Sequence, residues 1–268
     1  IVGFTTGIAV IIWVGQWKDF FGLQVSFTGI SHFHDKLLLL IDALPRAHWA
    51  TTGLALLGLL ITLNINRILP GNLKRIPGPL LAMIAVTLIQ YYAHFDGVET
   101  IGSAFGGIPQ GLPQFQLPRL TFTRVVELLG PALTIALLGA IESLLSAVVA
   151  DRMSGDRHEP NVELIAQGVA NVVSPLFGGL PATGAIARTA TNIRSGARTP
   201  VAGMVHALTL LAIVLFAAPL ASYVPLTVLA AILFLVAFNM GEWHEIPELL
   251  RLTKTDVGVW LVTFALTV

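Results

Sequence analysis

Long apolar runs, broken by short clusters of polar residues, proline and glycine, dominate this chain. A helix that crosses a hydrocarbon core of about 30 Å needs about 20 mostly apolar residues. Read by that length, the sequence predicts membrane-spanning helices near 1–17, 48–66, 76–93, 124–150, 162–178, 201–218 and 225–240, with a truncated one from 256. The expected fold class is therefore an all-α polytopic membrane protein. The piece 182–195 is too short and too polar to span. Pro77, Pro79, Pro200 and Pro225 stand at helix starts, where a residue without an N–H costs nothing.

If 182–195 enters and returns as a half-helix, the remaining loops alternate between two sides. One side holds Arg67, Lys74, Arg75, Arg152, Arg157, Arg194, Arg198, Arg251 and Lys254 in short loops. The other side holds Lys18, Lys36, Arg46, Arg119 and Arg124 in the long loops 18–47 and 94–124. The bias of basic residues towards the cytoplasm makes the first side cytoplasmic and starts the chain there. Trp13, Trp17, Trp49, Trp243, Tyr91 and Tyr92 fall near span ends, as interfacial aromatics do.

Composition agrees and removes several classes. The 268 residues are 55% hydrophobic and only 11% charged, against about 25% charged in a soluble domain, so an ordinary water-soluble domain is excluded. Fifteen Lys+Arg balance fifteen Asp+Glu, which leaves no basic footprint for nucleic acid; the lipid bilayer is the expected surrounding. Without cysteine there is no disulfide, thiolate metal site or thiol nucleophile. No nucleophile stands with a base, so no catalytic residue, metal or cofactor is expected and the chain is not read as an enzyme. It begins at Ile1 and ends inside an apolar run at Val268, with no signal peptide, which is expected of an internal fragment.

Two charged residues break the apolar pattern. Glu142 is the one ionisable residue between Leu128 and Ala150, nine residues before Asp151, or about 13 Å from that helix end. A carboxylate at that depth costs several kcal/mol unless protonated, paired or facing water. Gly139, Ser143 and Ser146 recur around it at helical spacing and permit close approach of another backbone. The plain alternative is a protonated carboxyl bonded to a neighbouring helix.

The second residue is Arg188. Gly178, Gly179 and Pro181 break the preceding helix, and Gly184, Arg188, Thr191, Asn192 and Ser195 then share one face of a short helix. Twelve residues reach about 18 Å, roughly half the core. Broken helices are tolerated at membrane depth where they line a polar cavity, and their free N-termini favour anions. Arg188 lies eight residues before Gly196, about 12 Å from the cytoplasmic face, which matches Glu142. The two form either one functional site or a buried structural ion pair, and such pairs add little net stability.

The run Ala140-Ile141-Glu142-Ser143-Leu144-Leu145-Ser146-Ala147, the segment His158 to Gly168 and the stretch Pro181 to Gly203 resemble the SulP family of anion transporters, the sulfate permeases. The opening Gly3 to Ile12 is similar to that family's fifth helix. The resemblance implies a 7+7 inverted-repeat fold with core and gate domains, of which this chain holds the fifth to thirteenth segments. It places gate helices in 1–93, an extracellular loop in 94–123, core helices in 124–218 and gate helices again in 219–268; the STAS domain and first four segments are absent. It also implies a homodimer in the cell membrane and a small-anion substrate carried by a secondary transporter.

On the same resemblance, Thr183, Gly184, Ala185, Ile186, Ala187 and Arg188 form the anion site, and Glu142 with Ser146 serves coupling. Sodium-coupled bicarbonate carriers of the family tend to show Asp where Glu142 stands, and a hydroxyl residue where Ile186 stands. That departure leans towards protons rather than sodium, and the likeness runs to bacterial members that carry dicarboxylates. Sulfate, bicarbonate and chloride stay open as substrates. An uncoupled anion channel and a nucleobase carrier of the same fold are the alternatives; the second would be expected to show a carboxylate in the half-helix.

Other polar residues read more plainly. His32, His34 and Asp35 are expected as solvated loop residues rather than a metal site, His206 as a packed core histidine, Gln167 and Asn171 as interhelical hydrogen-bonding groups, and Asn161 as a helix N-cap.

Overall fold

The computed structural model describes residues 2–30, 32–70, 76–118, 120–241, 243, 245–251 and 253–268, so Lys74, Arg75 and Arg119 of the loops above lie outside the described residues, as does the side chain of Ala187. Among the described residues helices account for the ordered secondary structure, with one isolated bridge between Thr100 and Pro225. The chain divides into two compact units, Ile1–Pro109 with Ala217–Val268, and Gln110–Phe216.

The first unit contains α1 (Val2–Gly15), α2 (Trp17–Phe21), α3 (Phe33–Ala43), α4 (Trp49–Ile68), α5 (Gly78–Ala93) and α6 (Ile101–Phe105). Its helices pack through small residues. A Cβ added to Gly3 or Gly78 would lie 2.7 Å from a carbonyl oxygen, of Trp260 and Thr62 respectively, and one on Gly58 would lie 3.1 Å from Val228. Close backbone approach of this kind is how helices associate in lipid, where apolar side chains gain nothing by leaving water. Ala50, Leu54, Ala82, Val86, Val98, Val224 and Val228 form one buried cluster, and Phe20 stacks on Phe234 at 4.4 Å in another.

The segment after α5 is strapped down: the Leu226 N–H donates to the Glu99 carbonyl at 2.9 Å and the Ile101 N–H to the Val224 carbonyl at 2.9 Å. The loops 18–47 and 94–124 are therefore not plain loops. They hold α2, α3 and α6, elements too short to register by a twenty-residue criterion. Leu40 of α3 is buried against Val14 and Leu23, and Pro45 lies in the following 3₁₀ turn, Leu44–Arg46. The stretch Phe33–Arg46 meets Trp49–Ile65 at a bend of 107°.

The second unit contains α7 (Phe122–Ser154), α8 (Pro160–Leu176), α9 (Ile186–Arg194) and α10 (Val201–Ala212). A π-helical turn, Ile213–Ala217, leads on to α11 (Ala218–Ala221), which is followed by α12 (Leu226–Met240), α13 (Glu245–Leu249) and α14 (Lys254–Thr267) in the first unit. Among the described residues, three stretches are long and apolar enough to cross a membrane by length and composition: Phe122–Ser154, Val201–Ala221 and Leu226–Leu249. The helices α1, α5, α8 and α14 run for 14 to 17 residues, about 21–26 Å, less than the roughly 30 Å hydrocarbon core.

Gly155, in the left-handed region at φ 78°, ends α7, and the turn to α8 is fastened by Asp151: its Oδ1 accepts the His158 N–H at 3.0 Å and its Oδ2 lies 2.7 Å from His158 Nδ1. Two sequence expectations fail in this unit. Helix α8 starts one residue before Asn161, with Pro160 in its first turn and Glu159 at the cap position, because proline at N1 sets the start more strongly than a capping side chain. His206 on α10 is exposed rather than packed.

Candidate functional site

The site is built where α9 begins. Residues 178–185 leave α8 and approach α7 without regular structure, starting from Gly178 at φ 74°. Extended backbone inside a membrane protein must find partners for its polar groups. Asn171 of α8 supplies two: its Nδ2 donates to the Ala182 carbonyl at 2.8 Å and its Oδ1 accepts the Ala182 N–H at 2.8 Å. Gln167, one turn earlier, donates to the same carbonyl. The interhelical bonds expected of these two amides thus go to the peptide of the break.

From there the chain is pinned to α7. Thr183 Oγ1 donates to the Gly139 carbonyl at 2.7 Å, and Thr189 Oγ1 lies 2.8 Å from Ser146 Oγ. Between them Gly184 sits against the α7 backbone, where an added Cβ would be 3.3 Å from both Ser143 Cα and Ser146 Cβ. Ser143 and Ser146 are both buried. Gly139, Ser143 and Ser146 are thus the close-approach surface their spacing predicts.

Helix α9 starts without a side-chain cap. Ala185 at the cap position is extended, and the Thr189 N–H donates to the Ala185 carbonyl at 2.9 Å. The amides of Ile186, Ala187 and Arg188 precede that first full turn and have no intrahelical carbonyl to reach. They form the positive end of the α9 dipole. Arg188, one turn in, is exposed, as are Thr191, Asn192 and Ser195, while Thr189, Ala190 and Ile193 are half-buried. Of the face read from the sequence, Arg188, Thr191, Asn192 and Ser195 are therefore turned away from α7, while Gly184 precedes the helix and sits against α7.

Glu142 lies on the turn of α7 that carries Gly139 and Ser143, and it lines a cavity of about 720 Å³ with Gly139, Gln167, Asn171, Ala182 and Thr183. The rest of that lining is largely apolar, including Leu128, Ile135 and Leu164. Gly184, Ala185, Ile186 and Arg188 stand outside it. Glu142 and Arg188 form no ion pair; among the described residues the pairs are His34–Asp35 and Asp151–His158. The structural ion pair considered from sequence is therefore not made. His34 meets Asp35 at 3.3 Å within an exposed pair, and no group of three or more metal-ligating side chains occurs among the described residues.

Two contributors are absent from the sequence reading. Thr189 reaches Ser146 from the residue next to Arg188, and a half-buried hydroxyl on the α7 side of an otherwise polar helix is the signal that marks it. Glu163, on the first turn of α8, accepts from Ser143 Oγ at 2.5 Å. Its place within a recognisable segment carries no hint of which α7 residue it meets.

Comparison with known proteins places the chain in a family. Residues 1–263 match the Sulfate permease family. Over its whole length the chain is 46% identical to YvdB of Bacillus subtilis (strain 168), named as a sulfate transporter, and it covers 50% of that protein. It is 36% identical over 245 residues to the bicarbonate transporter BicA of Synechocystis sp., covering 91% of this chain and 42% of the relative. The chain thus spans about half the length of these curated relatives.

Among solved structures, the transmembrane domain of a cyanobacterial bicarbonate transporter BicA superposes with a TM-score of 0.82 at 32% identity, covering all of this chain and 65% of that one. The murine Slc26a9 anion transporter in its inward-facing state gives 0.83 at 21% identity, over 99% of this chain and 43% of that one, which speaks for the fold alone. These neighbours have the 7+7 inverted-repeat fold, so the chain is part of such a fold. The family and the matched relatives are transporters, not enzymes. A helical chain with apolar spans, an uncapped half-helix pinned to α7 and a match over residues 1–263 belongs to the sulfate permease family.

Proposed function

We infer that the protein carries a small anion across the cell membrane by secondary active transport, with the start of α9 as the anion site. The observation that supports this most is the uncapped N-terminus of α9, held by Thr183, Gly184 and Thr189 against α7. Free amides and the positive helix end attract anions, and Arg188 adds a fixed cation one turn further in. Thr183 to Arg188 are the binding segment. Sulfate and bicarbonate are the first substrates to test, because relatives are named for them; chloride and C4-dicarboxylates follow.

Glu142 is the coupling residue on this reading, beside Ser146. It lines an open, mostly apolar cavity and is not neutralised by Arg188, so a proton is the natural partner for its charge. Ile186 offers no hydroxyl for sodium. The unit formed by Gln110–Phe216 is the substrate-holding core and the other unit the gate, working by alternating access in a homodimer. The test is uptake of labelled sulfate, bicarbonate, chloride and succinate into proteoliposomes of the full-length protein, with and without a pH gradient. Saturable uptake of one anion, accelerated by an inward proton gradient, is the expected result; uptake of none would refute the reading.

A further inference from the structure

A side-chain hydrogen bond joins α8 to α7 beside the candidate site. Ser143 Oγ donates to Glu163 Oε1 at 2.5 Å. Glu163 has no ion-pair partner among the described residues, so Ser143 is what its carboxylate holds. Ser143, the residue after Glu142, is 1% exposed. Its hydroxyl oxygen lies 3.5 Å from where a Cβ on Gly184 would sit, and its Cα 3.3 Å. Glu163 thus touches Ser143, and Ser143 lies against Gly184, in a chain of contacts from α8 through α7 to the break that leads into α9.

We propose that Glu163 is a positioning residue of the anion site: by taking the Ser143 hydroxyl it fixes the α7 turn on which Gly184 rests, and so sets where the free amides of α9 stand. An acidic residue in a first helical turn is also favoured by the helix dipole, and that role alone would need no partner on α7. What distinguishes positioning is dependence on the hydrogen bond. A buried hydroxyl left without its acceptor rotates or draws in water, and the surface under Gly184 changes with it.

The functional part of this inference rests on the transport reading, and the test separates the two. Full-length protein bearing Glu163→Ala, Glu163→Gln, Ser143→Ala or the Glu163→Ala/Ser143→Ala pair is reconstituted, and uptake of radiolabelled sulfate and bicarbonate is measured beside deuterium exchange over residues 183–189. Glu163→Ala and Ser143→Ala are each expected to raise KM about 5- to 30-fold with a smaller change in kcat, and to speed exchange in that segment. The double variant should be no worse than either single one. Glu163→Gln, whose amide oxygen still accepts the hydroxyl, should restore both readouts.

Unchanged exchange in Glu163→Ala, or a Glu163→Gln variant as impaired as Glu163→Ala, overturns the inference even if transport is robust. Faster exchange in the two alanine variants, reversed in Glu163→Gln, sustains the positioning role even if the wild-type protein carries neither anion, a result that would count against the transport reading instead.

Discussion

Gly184→Ala puts a single methyl group into the interface that sets the candidate site. Gly184 has an ordinary backbone conformation, outside the left-handed region, so alanine meets no φ penalty and the substitution tests space alone. The new Cβ would lie 3.3 Å from Ser143 Cα and 3.3 Å from Ser146 Cβ. Both belong to buried residues of a long helix, so α7 cannot yield and the start of α9 must move by a few tenths of an ångström. Overpacking of this kind costs about 1–3 kcal/mol. If the cost falls on the bound geometry, affinity for the anion drops about 5- to 150-fold.

The assay is uptake kinetics in proteoliposomes, with thermal stability in detergent alongside and Gly203→Ala as the control. Gly203 of α10 has open space where its Cβ would go, so alanine there should preserve KM and raise stability slightly. A Gly184→Ala protein with the KM of the Gly203→Ala control would refute the argument that the approach of Gly184 to α7 positions the site.

Other substitutions test neighbouring links. Asn171→Leu removes both bonds to the Ala182 peptide and should lower stability by about 1–3 kcal/mol, read as a lower melting temperature; an unchanged melt would mean the clamp is dispensable. Glu142→Gln should uncouple anion uptake from pH while leaving exchange of one anion for another, and an unchanged pH dependence would remove Glu142 from coupling. In the first unit, burial, opposed by Lys18 and reinforced by Glu99, raises the Asp19 carboxyl above its ordinary 3.8. Its stabilising contribution is then fully present below 3.8 and lost as pH rises through the raised folded value. Melting temperature should fall over that interval, and Asp19→Asn should flatten the fall.

Much of this was legible in the apolar pattern because membrane helices have to be long. The runs behind α4, α7 and α12 need no tertiary information to be seen. Helix α3 escaped because eleven residues around Leu37 to Leu40 are too few to satisfy a spanning criterion, and its place depends on packing against Val14 and Leu23. The break at Gly178 to Pro181 could be read from its breakers.

What counting could not supply is rotation about the helix axis. Depth alone left an ion pair between Glu142 and Arg188 open, yet Glu142 lines a cavity from which Arg188 is absent. Rotation also decides that Thr189, not Arg188, meets Ser146, and that Ser143 rather than Glu142 meets Glu163 of α8. Pairings such as Ser143 with Glu163 join side chains twenty residues apart through a turn of unpredictable geometry.

The central claim, that an anion binds at the start of α9 beside Arg188, is tested most directly by concentration-dependent uptake of sulfate and bicarbonate in full-length wild-type and Arg188→Ala proteins, at matched amounts of folded protein. The account predicts saturable uptake by the wild type and a KM at least about tenfold higher in Arg188→Ala, since a hydrogen bond to a charged group is worth about 1.5–3 kcal/mol. Equal KM values in the two proteins would contradict it.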